Sequence, residues 1–246
     1  MKKIILICFL ITFVSCSDTP KFKEKIIEKS SENCDDDCLS VNLNYLVSSR
    51  PSKFADNFNK EIESQVVNFL LSNQTDSLRI ENVSVEDALK TFLNDYNNLK
   101  GYFPDISEYE LILNDSISFQ NDKIVSIVSN RYSYTGGAHG IPSTVFMNFS
   151  VANGMLIQSD SLFSNHTKIL EIAENQFKKQ QNISPDESLN EKGFWFDDNI
   201  FHLPQNVGIT KKHLILFYNP YEIAPYADGS FEVKIPIDEV KNYLRY

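Results

Sequence analysis

The sequence predicts an α+β fold, with helices packed on mainly antiparallel sheets and two subdomains. Three observations carry that reading. Apolar residues recur every three to four positions in three stretches, the mark of amphipathic helices. Between and after those stretches the period falls to two, as strands with one buried face require. Asn121-Asp122, Asn153-Gly154 and Asp228-Gly229 punctuate the alternating stretches, and such dipeptides turn a chain. With 42% hydrophobic, 12% aromatic and 23% charged residues among 246, the chain suits a packed globular body. Disordered, collagenous and coiled-coil classes are excluded.

The N-terminus reads as an address. Lys2 and Lys3 precede the apolar run Ile4 to Val14. As helix that run would span about 16 Å, short of a hydrocarbon core of about 30 Å. Residues 1–15 are therefore expected to be a secretory signal. It ends in Phe13-Val14-Ser15-Cys16, and a small residue before a cysteine there looks like a bacterial lipobox. Cleavage would leave Cys16 to take up lipid, palmitate included. Several acyl chains, at roughly 0.8 kcal/mol per buried CH₂, hold a soluble body on a membrane. The expected location is the bacterial cell envelope, with membrane contact through the lipid anchor only. The competing reading is ordinary secretion with Cys16 near the cut.

Residues 17–33 are rich in Lys, Glu and Ser and show little periodicity. Residues 16–38 are expected to form a lipidated flexible tether, with order beginning near Leu39. Cys34 and Cys38 are a candidate local disulfide in an oxidising compartment. Metal binding by the pair is the alternative, without a second CxxC or a His pair to complete a site. Loss of residues 1–15 takes the net charge from −10 to −12. So acidic a chain disfavours nucleic acid as a partner and suits a basic one.

Val41, Leu43 and Tyr45 alternate as a strand. A helix over 52–72 follows, with Phe54, Phe58, Ile62, Val66 and Phe69 inward and Pro51 at its start. A second is expected over 85–100, with Ser84 and Asp87 at capping-box spacing, Leu99 inward, and Gly101 and Pro104 closing it. Strands then run through Tyr109 to Phe119, Ile124 to Tyr134 and Val145 to Val151, with Asn153-Gly154 as a type I′ hairpin turn. A third helix spans 165–180. Leu214 to Tyr218 is a strand buried on both faces, and Phe231, Val233 and Ile235 alternate after Gly229. A short helix carries Ile237, Val240 and Leu244. The subdomains are expected at 39–141 and 142–246.

Two segments carry what chemistry the sequence offers. The first is Tyr132-Ser133-Tyr134-Thr135-Gly136-Gly137-Ala138-His139-Gly140. Its glycines allow tight turns and close approach, and Tyr132 and Tyr134 share a strand face. His139 is open to two readings, a proton shuttle or ligand and a hydrogen-bonded histidine at a bulged strand end. The second runs from Phe217 to Gly229 and is dense in Tyr and Pro. Tyr221 and Tyr226 are either contact residues or anchors folding the loop onto the core. Trp195, between Phe194 and Phe196, reads as a core or edge anchor, with a sugar platform as the alternative. No GxGxxG, GxxxxGK[ST], GxSxG, SxxK or HExxH occurs. No catalytic residue, metal or cofactor is assigned.

These same segments are similar to the extracytoplasmic domains of the RsiV family, shared by the anti-sigma factor RsiV and the accessory region of the deacetylase PdaC. The resemblance rests on Tyr134-Thr135-Gly136-Gly137-Ala138-His139-Gly140, Asn148-Phe149 leading to Asn153-Gly154, Tyr221 to Gly229, and Val233-Lys234-Ile235-Pro236. It implies two α+β subdomains, the first ending near the glycine–histidine segment. It also implies a sensing or binding ectodomain for a lysozyme-like protein or a cell-wall glycan, here without a sigma-binding or catalytic domain. Ligand-binding candidates are Tyr132, Tyr134, Gly136, Gly137, His139, Tyr221 and Tyr226. The alternative is a wall-modifying hydrolase or deacetylase using His139.

Overall fold

The computed structural model describes residues 19–30, 39–72 and 83–246. Cys16, Cys34 and Cys38 lie outside them. The fold is α+β, with two sheets that are antiparallel but for one pair of strands.

The larger sheet has six strands in chain order: β1 (Lys21–Ser30), β2 (Ser40–Arg50), β3 (Glu110–Gln120), β4 (Ile124–Tyr134), β5 (Ile141–Ser150) and β6 (Leu156–Ile157). β2 and β3 are parallel, which requires a crossover. That crossover is made by α1 (Ser52–Leu70) and α2 (Val85–Tyr102), and α1 packs on β2. The predicted stripe of α1 is buried, and Phe22 of β1 meets the rings of Phe54 and Phe58 at 5.9 and 5.1 Å.

Residues 21–30 correct the expectation of a flexible tether. They form an edge strand paired with β2 along its whole length. The tether reading came from the Lys- and Glu-rich composition. On an edge strand, charged side chains, Lys above all, protect the free edge from further pairing. Only Phe22 and Ile27 in this strand are half-buried, so no apolar period was visible.

Three local readings also change. Ser84 caps α2 by accepting the Asp87 N–H at 3.1 Å, but α2 runs through Gly101, and Leu99 is partly exposed. Among residues 151–154 only Gly154 takes a positive φ (70°), so the β5–β6 connection is not a type I′ turn. A bulge between Ile117 and Phe119 brings Phe119 against the second core, and Ile117 before it is 41% exposed.

The second unit follows. α3 (His166–Gln180) starts at Asn165, whose side chain accepts the Lys168 N–H. A three-stranded sheet has β8 (His213–Tyr218) between β7 (Val207–Ile209) and β9 (Phe231–Pro236), then α4 (Ile237–Val240). As expected of a central strand, Leu214, Ile215 and Leu216 of β8 are buried. Phe177, Phe194, Phe196, Phe201 and Tyr218 gather in this second core, while Trp195 is 50% exposed and so is not a core anchor.

The sequence division at 141/142 falls just after the first residue of β5, a strand paired with β4. The junction of the two sheets lies where β7 packs across β3, β4 and β5. Side chains span it. Ser118 Oγ donates to the Ile209 carbonyl at 2.8 Å, the Ile209 N–H donates to Ser126 Oγ at 3.2 Å, and Asn148 Nδ2 donates to the Val207 carbonyl at 2.7 Å. Gly208 lies against the Phe146 ring, 2.1 Å from where a Cβ would sit. Gly208→Ala is expected to cost about 1–3 kcal/mol in urea unfolding. Phe146→Leu in the same chain should recover part of that loss, as coupled neighbours do.

Near the surface of this unit, the Glu187 carboxylate accepts the Ser184 N–H at 2.7 Å and pairs with Lys192 at 2.8 Å. Lys192 first, then that N–H, lowers its pKa from 4.5 to about 2. A carboxyl with a depressed folded-state pKa stabilises above its unfolded value and loses that as pH falls. Thermal melts of Glu187→Gln should therefore fall less steeply than wild type between pH 4.5 and 2.

Candidate functional site

The two segments singled out in the sequence meet at one end of the molecule. β4 delivers the first. Past Tyr134 the chain turns through Gly136 and Gly137, at φ 92° and 95°, where L side chains are strained. The Tyr134 hydroxyl donates to the Gly137 carbonyl at 3.1 Å and ties the turn to its strand. The Tyr132 ring end lies against Gly140, and a Cβ there would push it aside.

The second segment follows β8 and closes over the first. Tyr226 stacks on His139, with ring centroids 3.8 Å apart and planes 13° from parallel. Its hydroxyl donates to the Gly140 carbonyl at 2.7 Å. His139 Nδ1 lies 3.2 Å from the same oxygen. A carbonyl only accepts, so that contact needs the proton on Nδ1. Tyr221, at φ 72° and 54% exposed, places its ring 5.5 Å from Tyr226. His139, Tyr221 and Tyr226 thus form one aromatic cluster, with Tyr132 against Gly140, and Tyr134, Gly136 and Gly137 in the turn beside it.

Beside the cluster runs an open groove of about 370 Å³ between the end of β4–β5 and the loop after β8. Its floor depends on two asparagines that composition did not distinguish from solvated loop residues. Asn219 Oδ1 accepts the Thr144 N–H at 2.8 Å and its Nδ2 donates to the Thr144 carbonyl at 3.0 Å. Asn206 accepts the Phe146 N–H and donates to the Thr144 carbonyl, both at 2.6 Å. The Asn219 N–H donates to Glu222, whose carboxyl is pushed upward by burial.

Behind the groove, on the opposite sheet face, sits a pair that sequence reasoning also missed. Asp115 is buried beneath α1, and burial raises its pKa against the opposing pull of Ser129 and Arg131. Arg131 Nε donates to Ser129 Oγ at 3.0 Å, and its guanidinium stands 5.8 Å from the Phe69 ring centre. Among the described residues no three His, Cys, Asp or Glu side chains are grouped as metal ligands. Among them, too, no helix is long and apolar enough to cross a membrane.

Family profiles match both units: deacetylase PdaC over residues 32–142, and the protein of unknown function DUF3298 over 160–238. The PdaC-type stretch thus comes first and the DUF3298-type stretch follows it. β1 lies ahead of both matched stretches, and most of β5 and all of β6 fall between them. Over 140 residues the chain is 25% identical to the peptidoglycan-N-acetylmuramic acid deacetylase PdaC of Bacillus subtilis (strain 168). The match takes in 55% of this chain and only 29% of that protein. A DUF3298-family crystal structure from Bacteroides fragilis NCTC 9343 superposes with a TM-score of 0.68 at 19% identity, covering 94% of this chain and 95% of its own. One from Pseudomonas aeruginosa PAO1 gives 0.67 at 19%, covering 93% and 96%. At that identity the likeness speaks to the fold.

Tyr226→Phe removes the hydroxyl bond to Gly140 and keeps the stack. It should lower stability by about 1 kcal/mol in urea unfolding. Tyr226→Ala, which also loses the stacked ring, should cost clearly more.

Proposed function

We propose that this chain is a non-catalytic binding module of the bacterial cell envelope, carried on a lipid anchor at Cys16. It engages a cell-wall glycan or an extracellular, lysozyme-like protein through the end that bears the His139–Tyr226 cluster. The supporting observation is that the two segments meet there, one from each unit, beside an open groove. The DUF3298-type and PdaC-type stretches accord with such a role, since the PdaC-type stretch is a minor part of a relative named for acting on peptidoglycan.

The placement of the ends fits presentation outward. Pro20 accepts a hydrogen bond from Gln120 at the β3–β4 turn, so the chain enters the body there. The cluster lies at the other end of the same strands. β3, of 11 residues, separates the two ends by about 35 Å. A lipid at Cys16 would face the turn toward the membrane and the cluster away from it.

The hydrolase or deacetylase reading gives His139 an acid–base role. Its ring packs on Tyr226, and its contact at Nδ1 is a backbone carbonyl, an arrangement that suits a positioned contact residue better than a proton shuttle.

Two measurements test the proposal in intact cells. Radiolabelled palmitate should enter the wild-type chain and not Cys16→Ala. A photo-crosslinker at Tyr221 should capture a wall or extracellular ligand, while one at Met155, exposed near the entry end, should not. Turnover of a wall polymer by the purified chain, abolished in His139→Ala, would overturn the non-catalytic reading.

A further inference from the structure

The groove beside Tyr226 differs from the rest of this surface in its charge. The chain carries 33 acidic and 23 basic residues. Yet Arg131 is the one charged residue lining the groove, and its charge is not there. Arg131 and Asn130 are neighbours on β4 and point to opposite faces of the sheet. The Arg131 guanidinium lies by Phe69 and Asp115 on the α1 side. What faces the groove is neutral: Asn130, Thr144, Phe217, Tyr226 and Ser230.

We propose that the groove binds an uncharged sugar chain whose rings carry hydroxyl or acetamido groups. This rests on the binding-module reading and names its ligand class. A pyranose ring offers a C–H face and a rim of hydroxyls. Tyr226 and Phe217 supply aromatic carbon for the first. For the second, Thr144 Oγ1 donates to Asn130 Oδ1 at 3.2 Å, which fixes that amide and leaves its Nδ2 protons for a ligand. Asn130 and Ser230 are both exposed.

The edge of β5 adds an acceptor. Thr144 and Phe146 turn their backbone groups outward to Asn206 and Asn219. By strand alternation the Pro142 carbonyl also turns outward, into the groove. The volume of about 370 Å³ lies in the range of small-ligand sites, roughly 300–1,000 Å³. Beyond its mouth stands Tyr221, half-exposed, with its ring 5.5 Å from that of Tyr226. It extends the aromatic surface for a further sugar of a chain. A charged ligand would enter this groove without an opposite charge to meet it, which weakens the case for a peptide or nucleotide.

Calorimetric titration of the full chain in detergent decides the matter. The probes are tetra-N-acetylchitotetraose, cellotetraose and tetralysine. At least one sugar should bind, and tetralysine should not bind competitively with it. Asn130→Ala should weaken the sugar by about tenfold, the size of one lost hydrogen bond. Ser230→Trp, which fills the groove from an exposed position, should abolish binding, and Met155→Ala should leave it unchanged. Melting temperatures of the variants check that each is folded. A sugar that binds Ser230→Trp as tightly as wild type overturns the groove and leaves the binding-module reading standing. No sugar binding, with a Tyr221 crosslink to a protein, overturns the sugar class alone. No sugar binding and no crosslink overturns both.

Discussion

The architecture depends on how the outer edge of β5 is satisfied. A strand edge presents N–H and C=O groups that must find partners when another body covers them. β6 is too short to do this beyond Asn148 and Phe149. The side-chain amides of Asn206 and Asn219 do it instead, each offering one donor and one acceptor to the backbone of Thr144 and Phe146. They stand where a neighbouring strand would. Paired amides in a partly buried seam hold one geometry, because a shift of either unit would leave backbone groups without partners. Two separate apolar cores are thereby joined without a shared one.

The aromatic cluster completes the same seam at its outer end. The Gly140 carbonyl, next along the chain before β5, accepts from Tyr226. The glycines of this segment therefore do structural work that makes the site possible. Gly140 lets the Tyr132 ring lie against the backbone, and Gly136 and Gly137 reverse the chain so that His139 reaches Tyr226. Fixing the seam and shaping the groove are one set of contacts.

Much of this was legible from residues. Helices with a clean apolar stripe, such as Phe54 to Phe69, declared themselves, as did β8 with its unbroken apolar run. So did the segments around His139 and Tyr226, because glycine and tyrosine clusters are unusual in composition. What stayed hidden were features that depend on pairing at a distance. β1 reads as solvated linker because an edge strand has few buried side chains. Asn206 and Asn219 look like any loop asparagine until the other unit is in place. The Asp115–Arg131 pair is hidden in strands that otherwise alternate as expected. Trp195 shows the converse: flanked by Phe194 and Phe196 it suggests core, yet the two phenylalanines are buried and the tryptophan between them faces out.

β1 has a mechanical meaning. It begins at the entry end of the body and runs toward the cluster, paired with β2 from Lys21 to Ser30. Tension applied from the N-terminus, against a load held at the far end, acts along the strand rather than across it. The ladder is then loaded in shear, with all its hydrogen bonds sharing the force at once instead of opening one after another. A strand that carries almost no buried surface can thus bear a pull along the chain through its backbone bonds alone.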